Sequence, residues 1–574
     1  MFSITASISW RPAQSSRVSA LRFVPVFIGV YTCRDEAFIG WHGGCNRNWQ
    51  KITKEKHMAN KTLFQSLRGA LIPKTDVVNE AGGVAYALAP KQALAQYAAT
   101  GCLNSTYYAS ADDQLQKVLA LTKEVDAEFI AKTAVYSREK GFMKDIPAVL
   151  CAALSVKDAQ LLRSVFDRVI DDGKMLRNFV QVLRSGVVGR KSLGTVPKKL
   201  VQRWLESRTD EQLFRASVGN APSLADLVKM VHPKPGNPSR EALYGYLLGR
   251  PHNVEALPAI VKQFEAFKAG KRDEVPDVAF QMLTALDLGK AEWTAIAKKA
   301  PWQMTRMNLN TFARHGVFDD QTMVKLIANR LANADSVKRA RVFPYQLLAA
   351  FKSAGADVPS MVRDALQDAM EVATQNVPRI NGKVYVCPDV SGSMSSPVTG
   401  HRVGATTAVR CIDVAALVAA SILRQNPQAE VVPFETAVVT VSLNGRDSVM
   451  TNAQKLAAIG GGGTNCSAPL AWLNQRQAKG DLVVFVSDNE SWADAKSGRG
   501  TATMREWSVF KQCNPQARLV CIDIQPNATV QAAEREEVLN IGGFSDQVFK
   551  VIAAFAEGRL GADHWVGEID SLTL

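Results

Sequence analysis

The sequence lacks both a stretch that could cross a membrane as a helix and any closely paired cysteines. Its 574 residues contain no run approaching the roughly 18 apolar residues that a membrane-spanning helix needs, which argues against an integral membrane protein. Nine cysteines are scattered along the chain, and no two have the C-x-x-C spacing typical of zinc sites. Scattered cysteines predict free thiols in a reducing compartment, so we expect a cytoplasmic protein.

The composition also lacks the bias of disordered or collagen-like chains. Apolar residues make up 47% of the chain and charged residues 21%, close to ordinary globular usage. At roughly 100–200 residues per domain, the length predicts two to four domains.

Positive charge is concentrated in the first two thirds of the chain. The formal net charge is +14, yet residues 381–574 carry 16 basic and 19 acidic residues, whereas residues 1–380 carry 52 and 35. This asymmetry favours a polyanionic partner for the first part, with nucleic acid as the leading candidate. The alternative is a solvated basic surface that only maintains solubility.

Residues 1–57 differ in character from the rest of the chain. They combine basic residues with one short apolar run that Pro25 interrupts, and no clear signal-peptide cleavage site comes after that run. Met58 then opens a sequence typical of a protein start. We therefore predict that residues 1–57 are a dispensable extension and assign them no role.

The segment from Lys91 to Val377 has a helical pattern, because apolar residues recur at steps of three and four. Ser155, Ser223 and Asp277 are predicted helix starts, and Gly186 is a predicted stop. About fifteen short helices with short breaks predict an α-solenoid, although no exact repeat period is present.

The pattern changes near residue 378 to alternating strands and helices. Predicted strands are Lys383–Cys387, Ala429–Phe434, Ala437–Leu443, Asp481–Val486 and Leu519–Ile524. Predicted helices are Ala405–Leu423, Ala453–Ile459 and Phe544–Phe555. Alternation of this kind over some 190 residues predicts a doubly wound, mostly parallel sheet, whose ligands sit at the carboxyl ends of the strands.

Oxygen-bearing side chains come after three of these predicted elements. Asp389, Ser391 and Ser393 form a D-x-S-x-S pattern directly after the first strand, Thr464 ends a run of four glycines, and Asp488 comes after another strand. Carboxylates and hydroxyls suit a hard cation such as Mg²⁺, which keeps several water ligands and needs few carboxylates. A merely structural turn is the alternative, because turns also favour Asp and Ser.

Two other interpretations of these residues are weaker. The glycine run is not a phosphate-binding P-loop, because no Gly-Lys-Ser/Thr comes after it. A catalytic carboxylate pair, Asp389 and Asp488, has no histidine or cysteine beside it in sequence, and the hydroxyl-rich set fits a metal better.

The five residues together resemble the metal-ion-dependent adhesion site of von Willebrand factor A domains. All five positions, Asp389, Ser391, Ser393, Thr464 and Asp488, are present in that family's order. The resemblance implies a Mg²⁺ or Mn²⁺ ion with an open coordination position that takes an acidic ligand from a partner.

The densest basic stretch lies between Lys174 and Lys234. Arg177, Gln181 and Arg184 are three to four residues apart and share one helix face, and Lys199 and Arg203 share another. Such side chains bind phosphates, and nearby rings can stack on unpaired bases. Solvated faces are the alternative, and His232 alone is more often a packing or capping residue.

This stretch resembles the TROVE module of the Ro ribonucleoprotein family. The best matching segments are Gly189–Leu193 and Leu227–Pro235, with Tyr107-Tyr108 and Tyr136–Gly141 in support. That family pairs a helical-repeat ring with a C-terminal von Willebrand A domain, and Ser487–Trp492 resembles its bacterial branch. The resemblance implies a multidomain chain: a HEAT-like, all-α ring at 58–380 and an α/β doubly wound von Willebrand A-like domain at 381–574.

The resemblance further implies a non-catalytic, monomeric ring that binds Y-like small RNA and single-stranded 3′ ends of misfolded or structured RNA. Bacterial members resemble adaptors that deliver RNA to an exoribonuclease, without a membrane partner. By the matching stretches, the expected RNA contacts are Arg138, Lys140, Arg177, Arg184, Arg190, Lys191, Lys198, Lys199, Arg203, Lys229, His232 and Lys234.

Two alternatives stay open from the sequence. An adhesion-like or chaperone-like protein would grip an acidic peptide with its metal site and bind polyanions only nonspecifically. A nuclease would use Asp389 and Asp488 with a metal, although metal nucleases usually cluster more carboxylates around two ions. The uneven charge favours the RNA-binding hypothesis.

Overall fold

The structure is a computed structural model that describes residues 72–574, except 102, 272–273, 341, 343, 376, 378, 402–408, 494–499, 544 and 561–562. The predicted extension at 1–57 and the first residues of the predicted 58–380 domain therefore lie outside the described residues. Across the part that is described, no helix combines the length and apolar character needed to cross a membrane. No disulfide joins the cysteines of that part.

The first region of the described chain is helical, as predicted. Its helices are α1 Pro90–Thr100, α2 Ala111–Glu124, α3 Ala127–Glu139, α4 Asp145–Lys157, α5 Ala159–Val169, α6 Gly173–Ser185, α7 Thr195–Glu206, α8 Asp210–Ala216, α9 Leu224–Val231, α10 Pro238–Leu247, α11 Ala259–Lys268, α12 Phe280–Thr284, α13 Lys290–Lys299, α14 Trp302–Met307, α15 Leu309–Arg314, α16 Gln321–Ala332, α17 Ala334–Ala340, α18 Pro344–Ser353 and α19 Ser360–Ala373. A 3₁₀ turn, Val317–Asp319, precedes α16.

Local capping explains several of the helix boundaries. Ser223 accepts a hydrogen bond from the Asp226 amide at the start of α9, as predicted, and Gly186 ends α6 with φ 86°. Two predicted starts are wrong. Ser155 is buried inside α4, where its hydroxyl donates to the Ala152 carbonyl, and the Asp277 carboxylate pairs with Arg215 three residues before α12 begins.

Helices in this region pack on their neighbours and next neighbours in the chain. Pairs such as α3–α4, α3–α5, α4–α6, α5–α7 and α7–α9 repeat the same relation along the sequence. Their apolar faces meet in a core that includes Phe129, Phe166 and Phe179. The apolar face that the 3.6-residue period creates on each helix is buried by the successive helices stacked against it, not by one neighbouring helix.

The second region is an α/β domain built on a five-stranded parallel sheet. Its elements are β3 Val384–Pro388, α20 Cys411–Gln425, β4 Glu430–Val431, α21 Val449–Ala457, α22 Ala468–Gln475, β5 Leu482–Ser487, α23 Ala502–Cys513, β6 Arg518–Asp523, β8 Val538–Gly542, α24 Asp546–Ala556 and α25 His564–Asp570. The strands lie in the order β4–β3–β5–β6–β8 across the sheet. Parallel pairing of β3 with β5 and of β5 with β6 confirms the predicted doubly wound sheet.

Both faces of this sheet are buried, which explains its uninterrupted apolar strands. Along β3, Val384 and Val386 face one core, whereas Tyr385 and Cys387 face the other. The first core is continuous with that of the helical region. Helices α1 and α3 contact β8 or α25, and α18 and α19 contact α20 or α21, so both ends of the helical region pack on the α/β domain.

Several local predictions in this domain need correction. Ala437–Leu443 is not a strand: only Val438 forms an isolated bridge, with Phe434, because the chain turns back at Glu435, whose amide donates to the Ala437 carbonyl. Strand β8 and helices α22, α23 and α25 were not predicted. The predicted helix start at Ala405 falls outside the described residues, and the described helix α20 begins at Cys411.

A small antiparallel sheet was also missed. Strands β1 Val77–Val78 and β2 Val84–Ala87 form a hairpin, and β2 pairs with β7 Thr529–Val530 of the α/β domain. The chain that precedes the helical region is therefore joined to the C-terminal domain by main-chain hydrogen bonds.

Candidate metal centre and nucleic-acid interface

The D-x-S-x-S loop lies at the carboxyl edge of the parallel sheet. The Asp389 amide donates to the Val486 carbonyl at 2.9 Å, and the Val390 amide donates to the Phe434 carbonyl at 2.8 Å. The loop then forms a 3₁₀ turn, Gly392–Ser395. Because the loop is tied to both neighbouring strands, its carboxylate and hydroxyls are fixed above the strand ends.

The glycine loop is fastened against the D-x-S-x-S loop. The Gly461 amide donates to the Val390 carbonyl and the Gly392 amide donates to the Gly462 carbonyl, both at 3.1 Å. Gly462 has φ 67°, and a Cβ there would lie 1.8 Å from the Glu435 carboxylate. The positive φ favours glycine at this position, from which the chain continues to Thr464.

All five predicted ligand residues come together at this edge, and each is buried. Thr464 Oγ1 lies 2.9 Å from Ser391 Oγ, which lies 3.3 Å from Ser393 Oγ. The Ser391 amide donates to Asp389 Oδ1 at 2.8 Å, and the Ser393 hydroxyl hydrogen-bonds to the Asp488 carboxylate. The sequence predicted this convergence from the places of these residues after predicted strands and the glycine run, together with the resemblance to the adhesion site.

The donor set fits a hard divalent cation. An octahedral shell with metal–oxygen distances of ~2.1 Å holds adjacent oxygens ~3.0 Å apart, close to the hydroxyl spacing found here. Within the described ranges no three His, Cys, Asp or Glu side chains meet to hold a metal by themselves, so the three hydroxyls are needed to complete the set. The bound ion would be held by Asp389, Ser391, Ser393, Thr464 and Asp488.

The electrostatics of the site also favour a divalent cation. Burial, followed by the charge of Asp488, raises the pKa of Asp389 above its usual value, and burial also raises the pKa of Asp488. Ser487 donates a hydrogen bond to Asp389 Oδ2 at 2.6 Å, which orients the carboxylate. Each buried carboxylate destabilises the charged form of the other, and a bound divalent cation would offset that repulsion.

A basic pocket forms on the helical region where α6, α7 and α9 meet. Its volume is about 800 Å³, and Arg184, Lys191, Lys198 and Lys199 line it together with Gln202 and Met230. We call it the basic groove. Four of the predicted RNA contacts, separated by up to 15 positions in sequence, therefore share one concave surface.

Three more predicted contacts are exposed beside the C-terminal end of α9: Lys229, His232 and Lys234. His232 adopts φ 51° and caps α9, because its amide donates to the Val228 carbonyl. Its capping role, which the sequence left as an alternative, is therefore real, and the imidazole still faces solvent. Lys140 is also exposed, after the end of α3.

The other predicted contacts are engaged within the fold. Arg138 forms a two-point ion pair with Asp171, with its Nη2 2.7 Å from Oδ2. Arg190 donates to the Ser155 carbonyl at 2.9 Å, Arg203 pairs with Asp167 at 2.8 Å, and Arg177 donates to the Ala216 carbonyl at 2.8 Å. Burial lowers the pKa of Arg177.

A second pocket of about 580 Å³ lies at the other end of α6. It contains Arg177 together with Lys174, Arg208 and Arg215, and also the acidic Asp171 and Asp172. Arg208 lies over the Trp204 ring, 4.6 Å from its centroid. Sequence reasoning missed Arg208 and Arg215, which lie inside the basic stretch from Lys174 to Lys234 but outside its family-matching segments, and it also missed the mixed charge of this surface.

Comparisons with known proteins agree on both regions. Residues 207–383 match the TROVE domain family, and residues 383–556 match the Ro60 vWA domain family, so the matched segments meet and together span more than half of the chain. A Deinococcus radiodurans protein named RNA-binding protein RO60 is 24% identical over 544 residues, covering 87% of this chain and 100% of that protein.

Two further similarities extend this result. A Caenorhabditis elegans protein, also named RNA-binding protein RO60, is 22% identical over 289 residues, which is 46% of this chain and 43% of that protein. The crystal structure of the Deinococcus radiodurans RO (RSR) protein matches 82% of this chain and 100% of its own chain, with 19% identity and a TM-score of 0.56. The shared fold is thus a helical region followed by a vWA domain.

Proposed function

This chain belongs to the Ro family, which combines a TROVE domain with a vWA domain, and we propose that it is an RNA-binding protein. The observation that carries the proposal is the basic groove, which gathers Arg184, Lys191, Lys198 and Lys199 on one surface. Within the described residues, the side chains of these four form no ion pair with a carboxylate, so their charges are available to phosphates.

The uneven charge of the chain supports the same proposal. The 52 basic and 35 acidic residues of positions 1–380 create a net positive first region, whereas the region after it is slightly acidic. Long-range attraction would therefore bring a polyanion to the helical region. Similarity to two proteins named RNA-binding protein RO60 favours RNA as that polyanion.

The groove is suited to the backbone of RNA more than to its bases. Among the described residues that line it, none is aromatic, and the polar remainder is Ser192, Thr195 and Gln202. Phosphate contacts position an RNA without reading its sequence, whereas unpaired bases are usually read by stacking and edge contacts. The exposed His232 next to the groove is a predicted stacking residue.

We therefore propose a non-catalytic scaffold that holds a small, Y-like structured RNA on the groove and accepts single-stranded 3′ ends of other RNAs. As an adaptor it would pass such ends to an exoribonuclease in the cytoplasm. The vWA domain would hold Mg²⁺ or Mn²⁺ at Asp389, Ser391, Ser393, Thr464 and Asp488. When bound, the ion would neutralise the buried carboxylates and fix the loops that meet at the sheet edge.

A binding experiment with full-length protein tests this function. A hairpin RNA with a single-stranded 3′ tail, the same hairpin with a blunt end, and heparin would be titrated at several salt concentrations. We expect tight, steeply salt-dependent binding that prefers the tailed RNA. Equal affinity for all three would refute specific RNA binding and favour the alternative of a metal-dependent adhesion module with a nonspecific polyanion surface.

Catalysis is tested with the same tailed RNA in Mg²⁺ and in Mn²⁺. We expect the RNA to stay intact over hours. Cleavage that disappears in Asp389→Ala would overturn the non-catalytic proposal and restore the nuclease hypothesis.

A further inference from the structure

The segment at residues 489–492, called here the 489–492 loop, begins where the candidate cation site ends. It comes directly after Asp488, and the Asn489 amide donates to the Ser487 hydroxyl at 2.9 Å. Ser487 in turn donates to Asp389 Oδ2 at 2.6 Å. The loop is therefore connected to one candidate carboxylate ligand through the chain and to the other through two hydrogen bonds.

The same loop is bonded to the segment that carries Thr464. The Trp492 amide donates to the Thr464 carbonyl at 3.1 Å, and the Ser491 hydroxyl donates to the same carbonyl at 3.3 Å. The Cys466 amide donates to the Ser491 hydroxyl at 3.1 Å. Three of the five candidate ligands, two carboxylates and one hydroxyl, thus belong to segments that the 489–492 loop holds together.

The turn of the β1–β2 hairpin packs against this loop. Asn79, only 5% exposed, donates through Nδ2 to the Ser491 carbonyl at 2.8 Å, and its Oδ1 accepts from the Gly83 amide at 2.7 Å. The Ala81 amide donates to the Glu490 carboxylate at 3.2 Å. A Cβ at Gly83 would lie 2.0 Å from the Ser491 carbonyl oxygen, so hairpin and loop are in close contact. One buried side chain, that of Asn79, therefore both closes the hairpin turn and holds the loop.

The hairpin is also anchored away from the loop. Strand β2 pairs with β7, and the Leu88 amide donates to the Ala528 carbonyl at 2.9 Å. Glu80, the residue after Asn79, forms an ion pair with Lys117 of α2. The hairpin is thus supported by both the vWA domain and the helical region, and this support fixes the position from which Asn79 reaches the loop.

We propose that the β1–β2 hairpin and a cation bound at the candidate site stabilise each other, and that Asn79 is the positioning residue that links them. The proposal rests on the cation site proposed for the vWA domain and names a contact that sets the affinity of that site. The ion would restrain the ligand segments, and Asn79 restrains the loop that connects them. Each contact therefore reduces the conformational freedom that the other has to remove.

Thermodynamic linkage makes this relation reciprocal. The factor by which the docked hairpin raises cation affinity must equal the factor by which the bound cation favours hairpin docking. The proposal can therefore be tested from both sides, by measuring cation affinity when the hairpin contact is removed and hairpin protection when the cation is added.

The test uses full-length protein and Mn²⁺, whose binding is measured by calorimetry. Exchange of main-chain amide hydrogens at residues 77–87 is measured by mass spectrometry with and without Mn²⁺. Asn79→Ala removes the amide that bonds to the Ser491 carbonyl. Asp76→Ala is the matched control, because it removes a carboxylate that accepts from the Ala87 amide at 2.9 Å, at the end of the hairpin opposite to the turn.

We expect Mn²⁺ to slow amide exchange across residues 77–87 in the wild type and in Asp76→Ala, and to have no such effect in Asp389→Ala, which lacks a ligand. Asn79→Ala should bind Mn²⁺ about fivefold more weakly than the wild type, and its hairpin should lose the protection that Mn²⁺ confers. Asp76→Ala should bind Mn²⁺ with the affinity of the wild type.

Equal Mn²⁺ affinity in the wild type and Asn79→Ala, or an equal loss in Asp76→Ala, would overturn the positioning role of Asn79 and leave the cation site intact. Mn²⁺ that binds to the wild type without slowing exchange at residues 77–87 would overturn the mutual stabilisation. This second measurement needs no hairpin variant, so it decides the matter even if Asn79→Ala does not fold. Absence of Mn²⁺ binding in the wild type would overturn the cation site itself and the proposed linkage with it.

Discussion

Two lysines of the basic groove offer the sharpest test of how this protein binds RNA. Lys198 and Lys199 lie in the first turns of α7 and line the groove from one side. Replacing both by glutamine removes two positive charges and keeps polar side chains of similar length. Neither lysine has a carboxylate partner among the described residues, so the change should leave the fold nearly as stable as before.

The expected size of the effect can be worked out from counterion release. Each phosphate that a lysine neutralises on a double-helical part of the RNA contributes about 0.9 to the slope of log affinity against log salt concentration. Loss of two such contacts should reduce the slope by about 1.8, which means a loss of affinity of about 60-fold at 0.1 M salt. The difference in affinity between the wild type and the variant should shrink steadily toward 1 M salt, where counterion release no longer contributes to binding.

A matched control separates the groove from general charge. Lys290→Gln with Lys299→Gln also removes two lysines of the helical region, but these are paired with Asp319 and Glu274, at 2.7 and 2.6 Å. We expect its salt dependence to stay close to that of the wild type, measured by fluorescence anisotropy with a tailed hairpin RNA. Parallel salt plots for wild type and the Lys198/Lys199 variant, or equal losses in both double variants, would refute binding through the groove.

Three further predictions concern the cation site, a buried carboxyl and the helical core. Asp389→Ala should abolish Mn²⁺ binding in calorimetry and leave RNA affinity nearly unchanged, and a matching loss of RNA binding in folded protein would contradict this separation. Burial raises the pKa of Glu534 from 4.5 to about 7, so the folded protein retains a proton that the unfolded chain releases, and the free energy of unfolding should fall as pH rises through this interval. Glu534→Gln should make that fall shallower, because it removes one of several buried carboxyls whose raised pKa produces the fall, measured by urea denaturation between pH 5 and pH 8, and an unchanged pH profile would contradict the assignment. Phe179→Ala should cost about 3–5 kcal/mol of stability, because its ring is buried 5.2 Å from that of Phe166, whereas the exposed Lys174→Ala on the same helix should change stability by less than about 0.5 kcal/mol.

The sequence could predict the order of the two regions and the convergence of the oxygen-bearing side chains because both depend on local order. Apolar periods of 3.6 and runs of β-branched residues are properties of short windows, and they distinguished the helical region from the α/β domain. Parallel strands place their carboxyl ends at one edge, so residues directly after β3 and β5 had to meet. Asp389 and Asp488 were therefore predictable although 99 positions separate them.

The basic residues show where such reasoning stops. Arg184 and Arg190 look alike in sequence, but only Arg184 lines the groove, whereas Arg190 donates to the Ser155 carbonyl, 35 positions away. Arg138 is likewise paired with Asp171, 33 positions away. Whether a basic side chain is available to RNA depends on which carboxylate or carbonyl group the fold places beside it.

The sequence by itself determined the order of the two regions, the convergence of five oxygen-bearing side chains and the location of the positive charge, since each follows from nearby residues or from composition. Only the tertiary structure decided which basic side chains share the groove and which are paired within the fold. It also decided that the β1–β2 hairpin contacts the loop after Asp488. Those contacts join residues hundreds of positions apart, and their formation depends on the packing of both ends of the helical region against the vWA domain.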